Sequence, residues 1–454
     1  MMPRYAQKTI IFFFVCILTI RVHSYAETAL GKNSGISIEG AIAIAVNNNK
    51  TVQMQMANIK KASAGQLWAL SEFLPKAKIG YDFTYNDAVY SLPTATAARK
   101  DPGLFQGYES DNMLSLEVDQ DFIKGGANVA RYKQSNLELL SQKETYRATV
   151  LEVEFETKKL FYGLLLAYET ERIARDLVVQ AQAHYEEVSY KYKHGTASKF
   201  DLLQSKVQVA RIMPQLINAE NSIKLIKAEL KKLLAFDMRE NIEIAGRLGY
   251  NPIKIREEDF LMEAYENRPE MKLKSLGVDI EKWGIEFAKS TGVLQVSGNF
   301  TYYARSNNVA DMLNSRHDNW HIGLRATMPL FDGLATPAKI NEARAKYEHA
   351  KLDEEDYINQ IAVDVRQACI NMEDAETIIA AQKDSIVEAK EALRLSEVRY
   401  RNGVGINLDV LDSQVALAEV EQSLAEATYD YIMGKADLIK VMGREFFKEE
   451  KWER

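Results

Sequence analysis

The chain has 454 residues, 46% of them hydrophobic, and carries 64 acidic against 57 basic residues for a formal net charge of −7. That length exceeds one ordinary domain, and the acidic balance offers no basic footprint for a nucleic-acid partner. Two cysteines, Cys16 and Cys369, exclude a disulfide-stapled scaffold.

Residues 1–26 have the layout of a secretory signal. Arg4 and Lys8 supply the charged start, and Ile10 to Ile20 form an apolar core too short for comfortable spanning. Ser24-Tyr25-Ala26 places small residues at the cleavage-defining positions, so the cut is expected after Ala26. Only Cys369 then remains. No later stretch approaches 18 consecutive apolar residues, so no transmembrane helix is expected in the mature chain. An exported chain of this kind is either soluble or a β-barrel.

Ile36 to Phe73 reads as helix, with Ile38, Ala41, Ile42, Ala45 and Val46 on one stripe and an interruption at Asn47-Asn48-Asn49. The period then falls to two. Ala77, Ile79, Tyr81, Phe83 and Tyr85 alternate with polar or small residues, as do Leu114, Leu116 and Val118 after the loop Ser91 to Gly107. Gly125-Gly126 ends this hairpin. Ala127 to Lys193 follows, 67 residues without proline, ~100 Å as a straight helix. A glycine turn at Gly195 leads to a return helix, Lys199 to Ala235, expected to be capped by Ser198 with Asp201 and kinked or broken at Pro214.

Beyond Pro252 the order recurs: a helix over Ile255 to Ser290, strands around Leu294–Tyr302 and Trp320–Met328, then a glycine at Gly333. A long helix from Leu334 to Arg401, a turn at Gly403 and a return helix from Leu408 to Gly443 complete it, with Asn407 expected as the cap. Around the glycine turns, Tyr190–Ala210 and Val398–Ala418 align without a gap at an offset of 208. Tyr192, Gly195, Asp201, Leu203, Ser205, Val207 and Ala210 match Tyr400, Gly403, Asp409, Leu411, Ser413, Val415 and Ala418. This is an internal duplication, dividing the mature chain into repeats at 27–250 and 251–443 with a charged tail at 444–454. Both long helices carry apolar residues at strict 4-3 spacing. In the second they run from Ile361, Val365, Ala368 and Met372 to Leu393, Ser396 and Tyr400, which demands a coiled coil.

Four strands of about ten residues with lipid-side and water-side faces suit an outer-membrane barrel. Four cannot close one, and open edges in lipid leave backbone groups unpaired, so an oligomer is expected; three copies give twelve strands. From the residues alone, the rival is a soluble periplasmic coiled-coil scaffold with the hairpins as packing elements.

The element order resembles the TolC family of outer-membrane efflux proteins over Glu27 to about Gly443. The phrases that carry it are Tyr400-x-x-Gly403 with Asp409-Val410-Leu411-Asp412, Met328-Pro329-Leu330-Phe331-Asp332-Gly333, and Asn267-Arg268-Pro269-Glu270. The resemblance implies an α+β membrane protein and a homotrimer. A twelve-stranded β-barrel in outer-membrane lipid would continue as a periplasmic α-barrel of coiled-coil helices. A periplasmic adaptor and an inner-membrane pump would dock at the tip of this passive export duct. It assigns Asp409 and Asp412 to an acidic ring at the periplasmic gate, and Tyr400 and Asp201 to a closed-state lock. Gly195 and Gly403 become the turns and adaptor-docking tips. Where the family's best-known member has a lock arginine, this chain has Gly405, so the lock is expected to be weaker or built differently. No P-loop, nucleophile elbow or cofactor motif occurs. His317 and His321 stand in a loop-to-strand context and are not read as metal ligands.

Overall fold

A computed structural model describes residues 35–85, 110–311 and 318–444. The expected signal segment, the loop Ser91–Gly107, His317 and all of the tail after Arg444 lie outside the described residues. In chain order the elements are α1 (Ile38–Asn48), α2 (Lys50–Ser71), β1 (Lys76–Tyr85), β2 (Ser110–Lys124), α3 (Ala127–Lys193) and α4 (Lys199–Leu234). There follow α5 (Glu257–Asn267), α6 (Pro269–Ser290), β3 (Gln295–Ser306), β4 (Asp318–Thr327), α7 (Ala335–Arg401) and α8 (Asn407–Val441). The chain forms two compact units. Among the described residues, one comprises those up to Met56, Thr145–Met271 and those from Ile358 on; the other comprises those within Ala57–Glu144 and Lys272–Tyr357.

The second unit holds a four-stranded antiparallel sheet in the order β1-β2-β3-β4. The register pairs Ile79 with Leu116, Leu116 with Tyr302, and Tyr302 with Trp320, so apolar side chains from all four strands share one face. Lys78, Glu117, Thr301 and His321 pair across the other face in the same way. The period-two reading thus becomes a two-sided ribbon. Its apolar face is open, with Ile79 and Ile322 each 75% exposed. A bulge between Asp121 and Ile123 gives β2 an extra residue, Phe122, where the strand nears α3. Beside the sheet, Arg131 of α3 lies 5.2 Å from the ring centres of both Trp68 and Phe287, joining α2 and α6 through one guanidinium. Among the described residues no helix is long and apolar enough to cross a membrane.

The first unit is helical. Ala41 and Ala45 of α1 pack with Val153, Phe161 and Leu164 of α3 and with Leu230 and Leu234 of α4. Along α7 the expected seam is buried: Ile361, Val365, Ala368, Met372, Ala375 and Ile379 are each at most 3% exposed. In α3 the buried stripe is broader than a single seam. Phe161, Leu165, Leu177 and His184 are buried beside it, while Tyr192 is exposed. The cause is that α3 faces two partners, since Leu177 and Ala181 meet Ile212 and Val209 of α4 and Ala418 of α8. The segment around Pro252 is pinned to α8. Ile253 N donates to the buried Tyr431 hydroxyl at 3.0 Å, which donates to Asn251 O at 3.3 Å.

Of two interruptions expected in helices, the one at Pro214 is not a break, and the one near Asn47–Asn49 is found. α4 runs unbroken from Lys199 to Leu234 through Pro214. The carbonyl that Pro214 cannot serve belongs to Ala210, an exposed residue, so water can satisfy it. The interruption near Asn47–Asn49 falls at Asn49 alone, whose extended backbone separates α1 from α2. Its side chain accepts from Thr51 N at 2.8 Å and donates to Leu233 O at 3.1 Å, replacing helical bonds lost at the break.

Candidate functional site: the helical tip

α3 and α7 end in the same hydrogen-bond pattern. Thr196 N donates to Lys191 O and Gly195 N to Tyr192 O; Val404 N donates to Arg399 O and Gly403 N to Tyr400 O. Both are Schellman turns, and both need a left-handed residue. Gly195 has φ +76° and Gly403 φ +72°, the conformation glycine adopts without a Cβ penalty. Ser198 then opens α4 through the expected capping box. Its side chain accepts from Asp201 N at 3.0 Å, and its own N–H and hydroxyl both donate to Asp201 Oδ2.

The second return helix starts differently. Ile406 stands at the cap position of α8 and makes no side-chain bond there. Asn407, expected as the cap, is the first helical residue and is turned inward, 2% exposed. Its Oδ1 lies 2.7 Å from His184 Nε2 and accepts from Ser205 Oγ at 3.1 Å. Its Nδ2 donates to Gln204 Oε1 at 3.0 Å and Asp201 O at 3.5 Å. Four partners, two of them buried and two part-buried, outweigh the single solvent-exposed bond that a cap would make.

Tyr400 is buried in this same end, packed with Val188 and Val410. Lys191 Nζ sits 4.1 Å above its ring and donates to its carbonyl at 3.0 Å, and the His184 ring meets it edge-on at 5.0 Å. Burial, aided by the charges of Asp201 and Glu187, pushes the Tyr400 hydroxyl up to about 12. Within one chain, no hydrogen bond joins Tyr400 to Asp201, whose carboxylate is committed to Ser198. Asp409 lies in the first turn of α8 and Asp412 in the second, part-exposed and exposed. Neither carboxylate has a hydrogen-bond or ion-pair partner among the described residues.

Gly405 is required by close packing. A Cβ there would lie 2.9 Å from Tyr400 N and 2.9 Å from Arg399 Cβ. Replacing it with arginine, the residue of the resembled lock, is therefore expected to loosen the turn by about 1–3 kcal/mol rather than strengthen it. Faster proteolytic cleavage at residues 402–406 of Gly405→Arg checks this; cleavage as slow as in the parent chain counts against it.

The roles of His184, Lys191 and Asn407 were not read from the sequence. One signal was present. Asn407, Gln414, Glu421 and Thr428 are polar at intervals of seven along α8, the spacing of a seam. Asn407, Gln414 and Thr428 are buried, and Glu421 lies within 3.6 Å of Arg172 and 3.4 Å of Lys390.

The family model of outer membrane efflux proteins matches residues 41–235 and 260–444. The outer membrane protein TolC of Vibrio cholerae serotype O1 is 21% identical over 380 residues, covering 79% of this chain and 85% of that protein. The alkaline protease secretion protein AprF of Pseudomonas aeruginosa is 21% identical over 400 residues, covering 87% and 82%. Among solved structures, the Campylobacter jejuni CmeC outer membrane channel superposes with a TM-score of 0.79 at 17% identity, over 89% of this chain and 85% of that one. This chain, mostly helical with one small antiparallel sheet, belongs to the outer membrane efflux protein family, whose members are export channels of the outer membrane.

Proposed function

We propose that the chain is the outer-membrane duct of a tripartite efflux pump or type I secretion system and works as a homotrimer. The observation that carries this is the four-stranded sheet, with one continuous open apolar face and two edges, β1 and β4, unpaired among the described residues. In lipid each unpaired backbone group costs several kcal/mol, and three sheets side by side make a twelve-stranded closed barrel. The mature repeats, 27–250 and 251–443, then supply twelve helices in all for the periplasmic wall. The duct has no chemistry of its own. An adaptor docking near the Gly195 and Gly403 turns couples it to an inner-membrane pump, which selects the cargo.

The tip is the gate in this reading. Three copies of Asp409 and Asp412 set six carboxylates around one opening. Two such charges ~6 Å apart repel by roughly 3 kcal/mol at an effective dielectric near 20, so the ring excludes anions and admits cations. Tyr400, with Lys191 on its face, and Asp201 belong to the packing that keeps the tip shut. The test is ion selectivity in planar bilayers. The parent channel is expected to prefer cations, and Asp409→Asn with Asp412→Asn to lose most of that preference; unchanged selectivity removes the acidic ring. A protein that stays monomeric without detergent removes the duct.

A further inference from the structure

His184, on α3, meets α7 and α8 directly and is linked to α4 through Asn407. It is 6% exposed and shares Asn407 Oδ1 of α8 with the Ser205 hydroxyl of α4, while its ring meets Tyr400 of α7. The Asp201 carbonyl can only accept, which orients the Asn407 amide with Nδ2 toward α4 and leaves Oδ1 as the acceptor for the imidazole. Nε2 of His184 therefore carries a proton, and the neutral ring completes the node. The charged groups facing the ring are Glu187 and Lys191 from its own helix and Glu397 from α7. From α4 the Asp201 carboxylate is turned away to Ser198, and α8 presents the neutral amide of Asn407. Burial outweighs the Asn407 bond and the acidic neighbours, all of which favour the charged ring, and holds the imidazole below its ordinary range. One heptad along α8, Gln414 is 2% exposed with no partner for Oε1 among the described residues, a polar burial that favours parting of the helices.

We infer that the His184–Asn407 node is an acid-released latch: it ties α3 and α4 to α7 and α8 while the buried ring is neutral, and when Nδ1 takes a second proton the bond to Asn407 survives but the charge, enclosed by the packed helices, drives them apart. This rests on the reading of the tip as a gate. The direction follows from linkage. Above about pH 6.5 the ring is neutral whether packed or exposed, and the latch has full strength. Below that, the exposed ring gains a proton that the packed ring resists, so falling pH favours the parted tip. At pH 5 the limit is roughly 30-fold per subunit.

The experiment is the conductance of the purified full-length protein in planar bilayers between pH 7.5 and pH 5. The parent channel is expected to be closed at pH 7.5 and to open progressively below pH 6.5. His184→Gln keeps an amide donor for Asn407 and cannot titrate, so it stays closed and flat across the range. His184→Ala leaks at every pH. Asn407→Asp pairs its carboxylate with the imidazolium and reverses the trend, tightening in acid. A parent channel closed at all pH values, or one whose acid opening persists in His184→Gln, overturns the latch and leaves the gate standing. A parent channel fully open at pH 7.5, with selectivity indifferent to Asp409 and Asp412, overturns the gate and the latch together.

Discussion

Arg268→Met is expected to lower the thermal midpoint of the purified protein by roughly 2–4 °C at pH 7. Arg268 sits at the break between α5 and α6, its side chain 13% exposed. Nη1 donates to Asp364 Oδ2 of α7 at 2.7 Å, and Nε reaches Glu270 Oε2 at 3.4 Å. On α8, Asp437 is raised above the usual carboxylate range, first by burial and then by Asp364 and Glu152, with Lys440 and Arg268 opposing. Without the guanidinium, two acids of neighbouring helices face each other with less compensation. Removing one partner of a buried pair costs 3–5 kcal/mol; with Asp364 26% exposed, about 2–4 is expected here. Because the Asp437 pKa is raised, its ionised form opposes folding above that pKa and the penalty fades as pH falls. The deficit of Arg268→Met should thus narrow from pH 7 towards pH 4. Adding Asp437→Asn should recover about half of it at pH 7. A midpoint equal to the parent at pH 7 rules out this anchor, as does a deficit that grows in acid.

The phrase Asn267-Arg268-Pro269-Glu270 was visible in the sequence as a family signature, but its mechanics were not. Asp364 lies 96 residues away and Asp437 further still, and no local pattern brings them together. What could be read locally was read well. A proline-free run with 4-3 spacing gave α3 its bounds, Ala127–Lys193, and the α7 seam its buried residues. Strict alternation gave the strands and the shared apolar face. The failures lie where tertiary context overrides a local rule. Pro214 is expected to kink or break α4, yet the helix runs through it unbroken, with the carbonyl it strands on the wet side. The α3 stripe widened because a second partner, α8, lies against it. Asn407 carried a cap's residue type at a cap's position, and only the imidazole of His184, 223 residues distant, shows why it turns inward.

Asn407→Leu is expected to open the tip locally by about 3 kcal/mol, which is roughly a hundredfold in amide exchange. Leucine matches asparagine closely in length, so the cavity is filled and the loss is almost wholly polar. It strands a ring N–H on His184, a hydroxyl on Ser205 and acceptors on Gln204 and Asp201. A buried group left unpaired costs about 1–3 kcal/mol. The Ser205 hydroxyl can rotate and the 3.5 Å contact to Asp201 is weak, so the sum falls well below four full penalties. The added apolar burial offsets a further part. The faster exchange should be confined to the ends of α3 and α7 and the starts of α4 and α8. The α1, α3 and α4 core around Phe161, Leu164, Leu230 and Leu234 shares none of these bonds and should keep its protection. Uniform acceleration through both regions would show a general loss of stability, and unchanged exchange at the tip would show that the node holds nothing together.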